Sequence, residues 1–124
     1  MTAVRSLGHV QLFTRSTGDL VQWRMLSGNN REIGRSVDGY ADVESARIGI
    51  KELQSALDDL EATVRRNANN EWTWHLSQEG LLTATSWHGF SRLIRCEQGL
   101  AHFRTAIRHA EVGTTLMVSD SRRW

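Results

Sequence analysis

The sequence predicts an α+β fold with a single antiparallel sheet and two helices packed on one face. Three observations carry that expectation. The span Gly39-Tyr40 to Gly49-Ile50 recurs fifty residues later as Gly89-Phe90 to Gly99-Leu100, and Ser36/Ser86, Val43/Leu93, Ala46/Cys96, Leu53/Phe103 and Leu57/Ile107 extend the match. Each glycine-bearing span carries apolar residues at helical spacing and follows stretches of strand-like alternation. No proline occurs in the 124 residues, so no hinge divides the copies, and internal duplication organises the chain. One domain, residues 1–124, made of two repeats at about 10–61 and 62–118, is expected.

In chain order, a polar lead-in over 1–8 (MTAVRSLG) precedes a short strand at Val10–Arg15 and a turn around Gly18. Leu20–Leu26 alternates, with Val21, Trp23 and Met25 on one side and Gln22 and Arg24 on the other. Ser-Gly-Asn-Asn at 27–30 makes a turn because Gly and Asn tolerate positive φ, and a third strand runs over about Arg31–Val37. The first helix is expected from Asp42, a natural N-cap, towards Leu60. Three acids at 58, 59 and 61 oppose the dipole at its C-terminal end, so it should not persist far past Leu57. Gly49 inside the apolar stripe costs about 1 kcal/mol against alanine. The expected reason is close approach to a bulky sheet side chain such as Trp23.

The second unit follows without a linker: strands at Ala62–Arg66, Glu71–Leu76 and Leu81–Trp87, with turns at Asn67–Asn70 and Gln78–Gly80. A helix over about Ser91–Ala110 repeats the stripe as Leu93, Cys96, Leu100, Phe103 and Ile107. Thr114–Val118 is β-prone and makes a final strand, and 119–124 should fray.

Bulk properties exclude more than they assign. A chain of this length buries roughly two thirds of its unfolded surface without disulfides or metal. A formal net charge of +1 gives no long-range reason to expect nucleic acid or an acidic membrane. The lone Cys96 fits a reducing compartment. With no apolar leader and no long apolar run, a cytoplasmic location is expected.

At these residues the sequence resembles the YegP-like family, whose repeats carry an opening strand, an aromatic-rich strand, an Asn-Gly-type turn, a third strand, and a tyrosine followed nine residues later by Gly-Ile in a helix. The matching pieces are Val10 to Phe13, Gln22-Trp23-Arg24-Met25, Asn29-Asn30, Ile33, Tyr40 and Gly49-Ile50. The second copy offers Trp72 to Leu76, Ser86, Phe90 and Gly99-Leu100. The likeness spans roughly residues 10–118. It implies tandem β-β-β-α-β repeats joined into one sheet by exchange of C-terminal strands, with 114–118 beside the first unit and 62–66 serving both. The chain departs from the pattern where Gln78-Glu79-Gly80 replaces the Asn-Gly turn. It departs again where Val37-Asp38 and Trp87-His88 stand for a Ser-Glu pair. The family has no established activity, so the resemblance implies a fold and no reaction.

Candidate chemistry is sparse. His102 and His109, seven apart on the expected helix, would stand two turns and about 10 Å apart, too far for one ion without a ligand between them. No metal and no cofactor is expected, and Cys96 on the apolar stripe reads as a buried small hydrophobe. The acids 58, 59 and 61 read as a charged helix end. A deep pocket containing His88, Tyr40 and an acid would revive an enzyme reading, and no catalytic residue is expected. Trp23, Trp72 and Trp74 are expected to fill the core; the alternative places some of them on the open sheet face.

The functional expectation is a non-enzymatic protein that binds an unknown protein partner, or forms a homodimer, through the face opposite the helices. The candidate surface is Arg15, Arg24, Arg35, His75 and Trp87. Trp87 and Trp124 are the candidate exposed aromatics, which mark interfaces. The alternative is nucleic-acid binding, with arginine on phosphates and bases and aromatics for stacking, although binders usually carry a basic surplus.

Overall fold

The computed structural model describes residues 8–15, 18 and 20–119. The expected lead-in before Gly8, most of the first turn and the tail with Trp124 lie outside the described residues. The elements are β1 (Gly8–Arg15), β2 (Gln22–Ser27), β3 (Glu32–Ser36), α1 (Val43–Ala56) with a 3-10 turn at Leu57–Asp59, β4 (Glu61–Arg66), β5 (Trp72–Gln78), β6 (Leu81–Thr85), α2 (Leu93–Ile107) and β7 (Glu111–Ser119).

The turns use the residues that turn chemistry demands. Asn30 (φ 64°) and Asn70 (φ 61°) adopt the left-handed region, as do Glu79 (φ 50°) and Gly80 (φ 85°). Asp42 caps α1 by accepting from the Ser45 N–H at 2.7 Å. The helix gives way to the 3-10 turn after Ala56, where the acids oppose its dipole.

All seven strands form one sheet in the order β4-β5-β6-β3-β2-β1-β7. The sheet is mixed, which corrects the expected all-antiparallel sheet: β7 pairs parallel with β1. Parallel neighbours need a crossover, and α2 supplies it by carrying the chain from β6 to the far edge. That strand is also longer than the five residues expected from propensity, because the ladder along β1 orders its flanks.

One face carries the core. Val10, Leu12, Trp23, Met25, Trp74, Leu76 and Ala84 from the sheet meet Ala46, Ile50, Leu53, Leu57, Cys96, Phe103, Ala106 and Ile107 from the helical segments. Cys96 is fully buried and reduced, and burial followed by the nearby Glu97 pushes its thiol up. The stripe fails at one position. Leu93 is 41% exposed, because it is the first residue of α2 and precedes the turn that reaches the sheet. His109 lies beyond α2, which ends at Ile107, so the expected helix face shared with His102 does not exist.

The two helices are tied by reciprocal contacts. Gln54 Nε2 donates to the carbonyls of Ile107 (2.9 Å) and Ala110 (3.1 Å). At the fifty-residue offset, the Arg104 guanidinium donates to the carbonyls of Leu57 (3.5 Å) and Leu60 (3.1 Å). Each helix end thus satisfies carbonyls that have no intrahelical partner. Arg108 meets Asp58, the residue at its own offset, at 2.7 Å. The Ser36/Ser86 match has a similar reason: the backbone N–H of Trp23 donates to Ser36 Oγ (3.1 Å) and that of Trp74 to Ser86 Oγ (3.2 Å).

Candidate functional site

The register of six strands aligns a row of side chains on the face opposite the helices. Thr63 pairs with His75, His75 with Thr85, Thr85 with Arg35, Arg35 with Arg24 and Arg24 with Gln11. Directly paired residues point to the same side, so the row is continuous. Its centre is a compact cluster. The Arg24 guanidinium lies 4.8 Å from the centre of the Phe13 ring and that of Arg35 lies 5.6 Å from it. Arg35 also stands 5.4 Å from the Trp87 ring. Guanidinium stacked on an aromatic face is favourable through the ring quadrupole.

Glu32 holds the two arginines together. Arg35 donates Nε and a terminal nitrogen to its two carboxylate oxygens at 2.6 and 2.9 Å, a bidentate pairing. Arg24 approaches the same carboxylate at 3.7 Å and donates Nε to Gln11 Oε1 at 2.7 Å. Two positive charges thus share one negative charge above a buried ring. His75, farther along the row, is held below its ordinary imidazole value by burial and then by the Arg65 charge, and its Nδ1 is buried without a partner.

Of the five residues expected on this surface, Arg24, Arg35 and Trp87 join one cluster through Phe13. His75 shares their row two strands away. Arg15, the last residue of β1, is exposed on the side that alternation assigns to Gln11 and Phe13, and it lies outside the cluster. Trp87 is 46% exposed, whereas Trp23 and Trp74 are 1% and 0% exposed in the core. Trp72 is half-buried against that core, with Arg66 over its ring at 4.8 Å. Phe13 and Glu32 were not expected here. Phe13 is 2% exposed, yet it alternates with Leu12 and so belongs to the open face. Glu32 reaches that face only because the β2–β3 register slips by one residue at Met25/Leu26, which reverses the side expected from simple alternation.

The inner side of the molecule holds two further features at matching offsets. Val21 bridges to Tyr40, and Trp72 to Phe90, so each aromatic sits one strand-end away from its helix. A Cβ on Gly49 would come within 2.5 Å of the Tyr40 hydroxyl, and one on Gly99 within 2.9 Å of Phe90 Cζ. The nine-residue spacing of aromatic and glycine is therefore a packing contact, and Tyr40, rather than the expected Trp23, is the side chain that Gly49 admits. Burial raises the Tyr40 phenol above its ordinary value, and the Trp23 side chain opposes that rise. Trp74 is the counterpart of Trp23, and its indole nitrogen is buried without a partner.

Each aromatic–glycine pair lines a cavity closed by the hairpin of the other half. Trp23, Tyr40, Gly49, Glu52, Gln78 and Thr83 border one of about 160 Å³. Asn29, Arg31, Ile33, His88, Phe90 and His102 are among those bordering one of about 340 Å³. His88 and Tyr40 thus border different cavities. Among the described residues, no three His, Cys, Asp or Glu side chains gather as a metal site would require, and no helix is long and apolar enough to cross a membrane.

No family model and no curated protein matches the chain. Two solution structures do. The yegP protein of E. coli, described as a protein of unknown function, aligns over 92% of this chain and 97% of its own with a TM-score of 0.75 at 19% identity. A UPF0339 protein of Shewanella oneidensis aligns over 90% of this chain and 91% of its own with a TM-score of 0.67 at 18% identity. The chain has the YegP fold, as its duplicated aromatic–glycine spans implied.

Proposed function

We propose that this chain is a non-enzymatic cytoplasmic binding protein made of two tandem β-β-β-α-β repeats with exchanged C-terminal strands, and that the open sheet face is its contact surface. The duplication is supported by the reciprocal Gln54 and Arg104 contacts, and the exchange by β7 lying beside β1 rather than beside β4. The observation that carries the functional reading is the Phe13–Arg24–Arg35–Trp87 stack. Arg and Trp concentrate at the centres of protein interfaces, and here two guanidiniums are held by Glu32 and Gln11 before any partner arrives. Preorganisation of that kind lowers the ordering cost of binding.

The partner class tested first is a second copy of this chain. Arg15 and Trp87 are exposed, so Arg15→Glu combined with Trp87→Ala should keep the circular dichroism spectrum and melting temperature. In sedimentation equilibrium the wild-type protein should show a concentration-dependent mass increase that the double variant loses. Equal mass for both proteins at every concentration counts against self-association through this face. A gel shift with a single-stranded oligonucleotide at two salt concentrations separates the nucleic-acid alternative, since phosphate contacts make affinity fall steeply with salt.

A further inference from the structure

We propose that two copies of the chain pair antiparallel through the outer edge of β4, about a twofold axis at Thr63, in a weak and reversible dimer. Counting outward from the central β6–β3 pair, β4 and β1 hold matching places in the sheet, but β1 has β7 on its outer side and β4 ends the order of described strands. The two outer edges are finished differently. The β7 ladder slips against β1 between Val10 and Leu12, and Arg47 on α1 donates to the Val112 and Gly113 carbonyls at 3.2 and 3.1 Å. Bulges and covering groups of that kind blunt an edge. By contrast, β4 pairs with β5 in an unbroken register from Glu61 to Arg66, and Glu61, Ala62, Arg65 and Arg66 are exposed.

Backbone and charge select the same register. The Asn67 N–H donates to the Glu71 carbonyl at 2.7 Å, and bonded residues alternate along an antiparallel ladder. Residues 61, 63 and 65 therefore turn their N–H and C=O groups to β5, and Ala62 and Val64 turn theirs outward. A second β4 whose Val64 lies opposite Ala62 satisfies the outward groups of both and puts Thr63 directly opposite its own copy. That register sets Glu61 of each copy opposite Arg65 of the other, on the open face with Thr63. Opposite charges across strands favour pairing and like charges oppose it. Edge charges discourage pairing with an arbitrary strand; the even spacing of these two about Thr63 makes the strand's own copy the exception. Neither Glu61 nor Arg65 forms an ion pair among the described residues. The contact closes on itself, is independent of the open-face reading, and lays two open faces side by side without using the arginine cluster.

One strand pair is smaller than a standard interface, so covalent trapping is the way to read it. Across a non-bonded antiparallel pair the Cα atoms stand about 4.5 Å apart, within the span of a disulfide. Oxidation with diamide should therefore trap Thr63→Cys as a disulfide dimer under conditions that leave Thr73→Cys monomeric. Thr73 lies on the same face, one strand further in, and Cys96 is fully buried and does not compete. In the Thr63→Cys background, Glu61→Arg and Arg65→Glu each set like charges opposite and should slow the trapping, while an equal mixture of the two restores both charge pairs. Intact-mass spectrometry of that mixture should show the heterodimer about tenfold over each homodimer, against about twofold for random pairing. Adding Arg15→Glu and Trp87→Ala should leave the trapping unchanged, so failure of the open-face reading and failure of this one show separately. Thr63→Cys trapped no faster than Thr73→Cys, or random pairing in the mixture, overturns the edge contact.

Discussion

The half of the chain around Tyr40 and the half around Phe90 share a backbone plan and differ in how completely they are satisfied. In the first, Asp42 caps α1, Glu44 lies in its first turn, and the Tyr40 hydroxyl lies over Gly49. In the second, α2 begins at Leu93 behind an N-cap, Arg92, that makes no side-chain hydrogen bond, no acid lies in its first turn, and the Trp74 indole nitrogen is buried without a partner. The second half compensates through packing. Phe103, the counterpart of Leu53, stacks on Trp23 (ring centres 6.3 Å apart), packs tilted against Trp74 (4.8 Å) and so joins the two halves. One half is held more by polar closure, the other by aromatic area.

The largest effects should fall on that shared aromatic. Phe103→Ala should cost about 3–5 kcal/mol, against about 2–4 kcal/mol for Leu53→Ala, read from urea midpoints at constant slope. Equal losses would show that the halves share the core evenly. Next come the glycines. A methyl on Gly49 meets the tyrosine tip at 2.5 Å, and one on Gly99 meets the Phe90 ring at 2.9 Å. Overpacking of about 1–3 kcal/mol opposes the gain of about 1 kcal/mol in helix propensity. Thermal melts should therefore show Gly49→Ala clearly destabilised and Gly99→Ala nearer neutral, with Tyr40→Phe relieving part of the Gly49→Ala loss.

Tyr40→Phe alone copies the second half into the first and removes the hydroxyl beside Trp23, with an expected loss of about 1 kcal/mol. Phe90→Tyr copies in the other direction and should gain a similar amount in chemical denaturation. The smallest effect concerns the row beside the arginine cluster. Because the folded His75 is held below its ordinary value, the unfolded chain takes up a proton first as pH falls. His75 should contribute full stability above about pH 6.5 and progressively less below it, levelling off once the folded imidazole is also protonated. His75→Gln should flatten that part of the stability-versus-pH curve.

Much of the fold was legible because period and offset are local properties. The helical stripes, the strand alternation, the Asn turns and the Asp42 cap each depend on residues within one or two turns of one another, and the fifty-residue match brought the halves into correspondence. The aromatic–glycine spacing was visible too, but its meaning was not: only packed coordinates show Tyr40 resting on Gly49. The open-face residues were partly legible, since Arg24, Arg35 and His75 follow alternation, whereas the carboxylate that binds the two arginines was hidden. A one-residue slip in the ladder moved Glu32 across the sheet, and a single slip reverses every assignment beyond it.

By itself, then, the sequence determined the α+β plan, the core-facing stripes and the side of the sheet that carries arginine, because these follow from backbone periodicity and side-chain polarity. Only the tertiary structure decided that β7 runs parallel beside β1, that Glu32 joins the arginines, and that Tyr40 rests on Gly49 and Phe90 on Gly99. Each of these depends on how the chain packs in space, where strand register, crossover and side-chain packing settle the outcome.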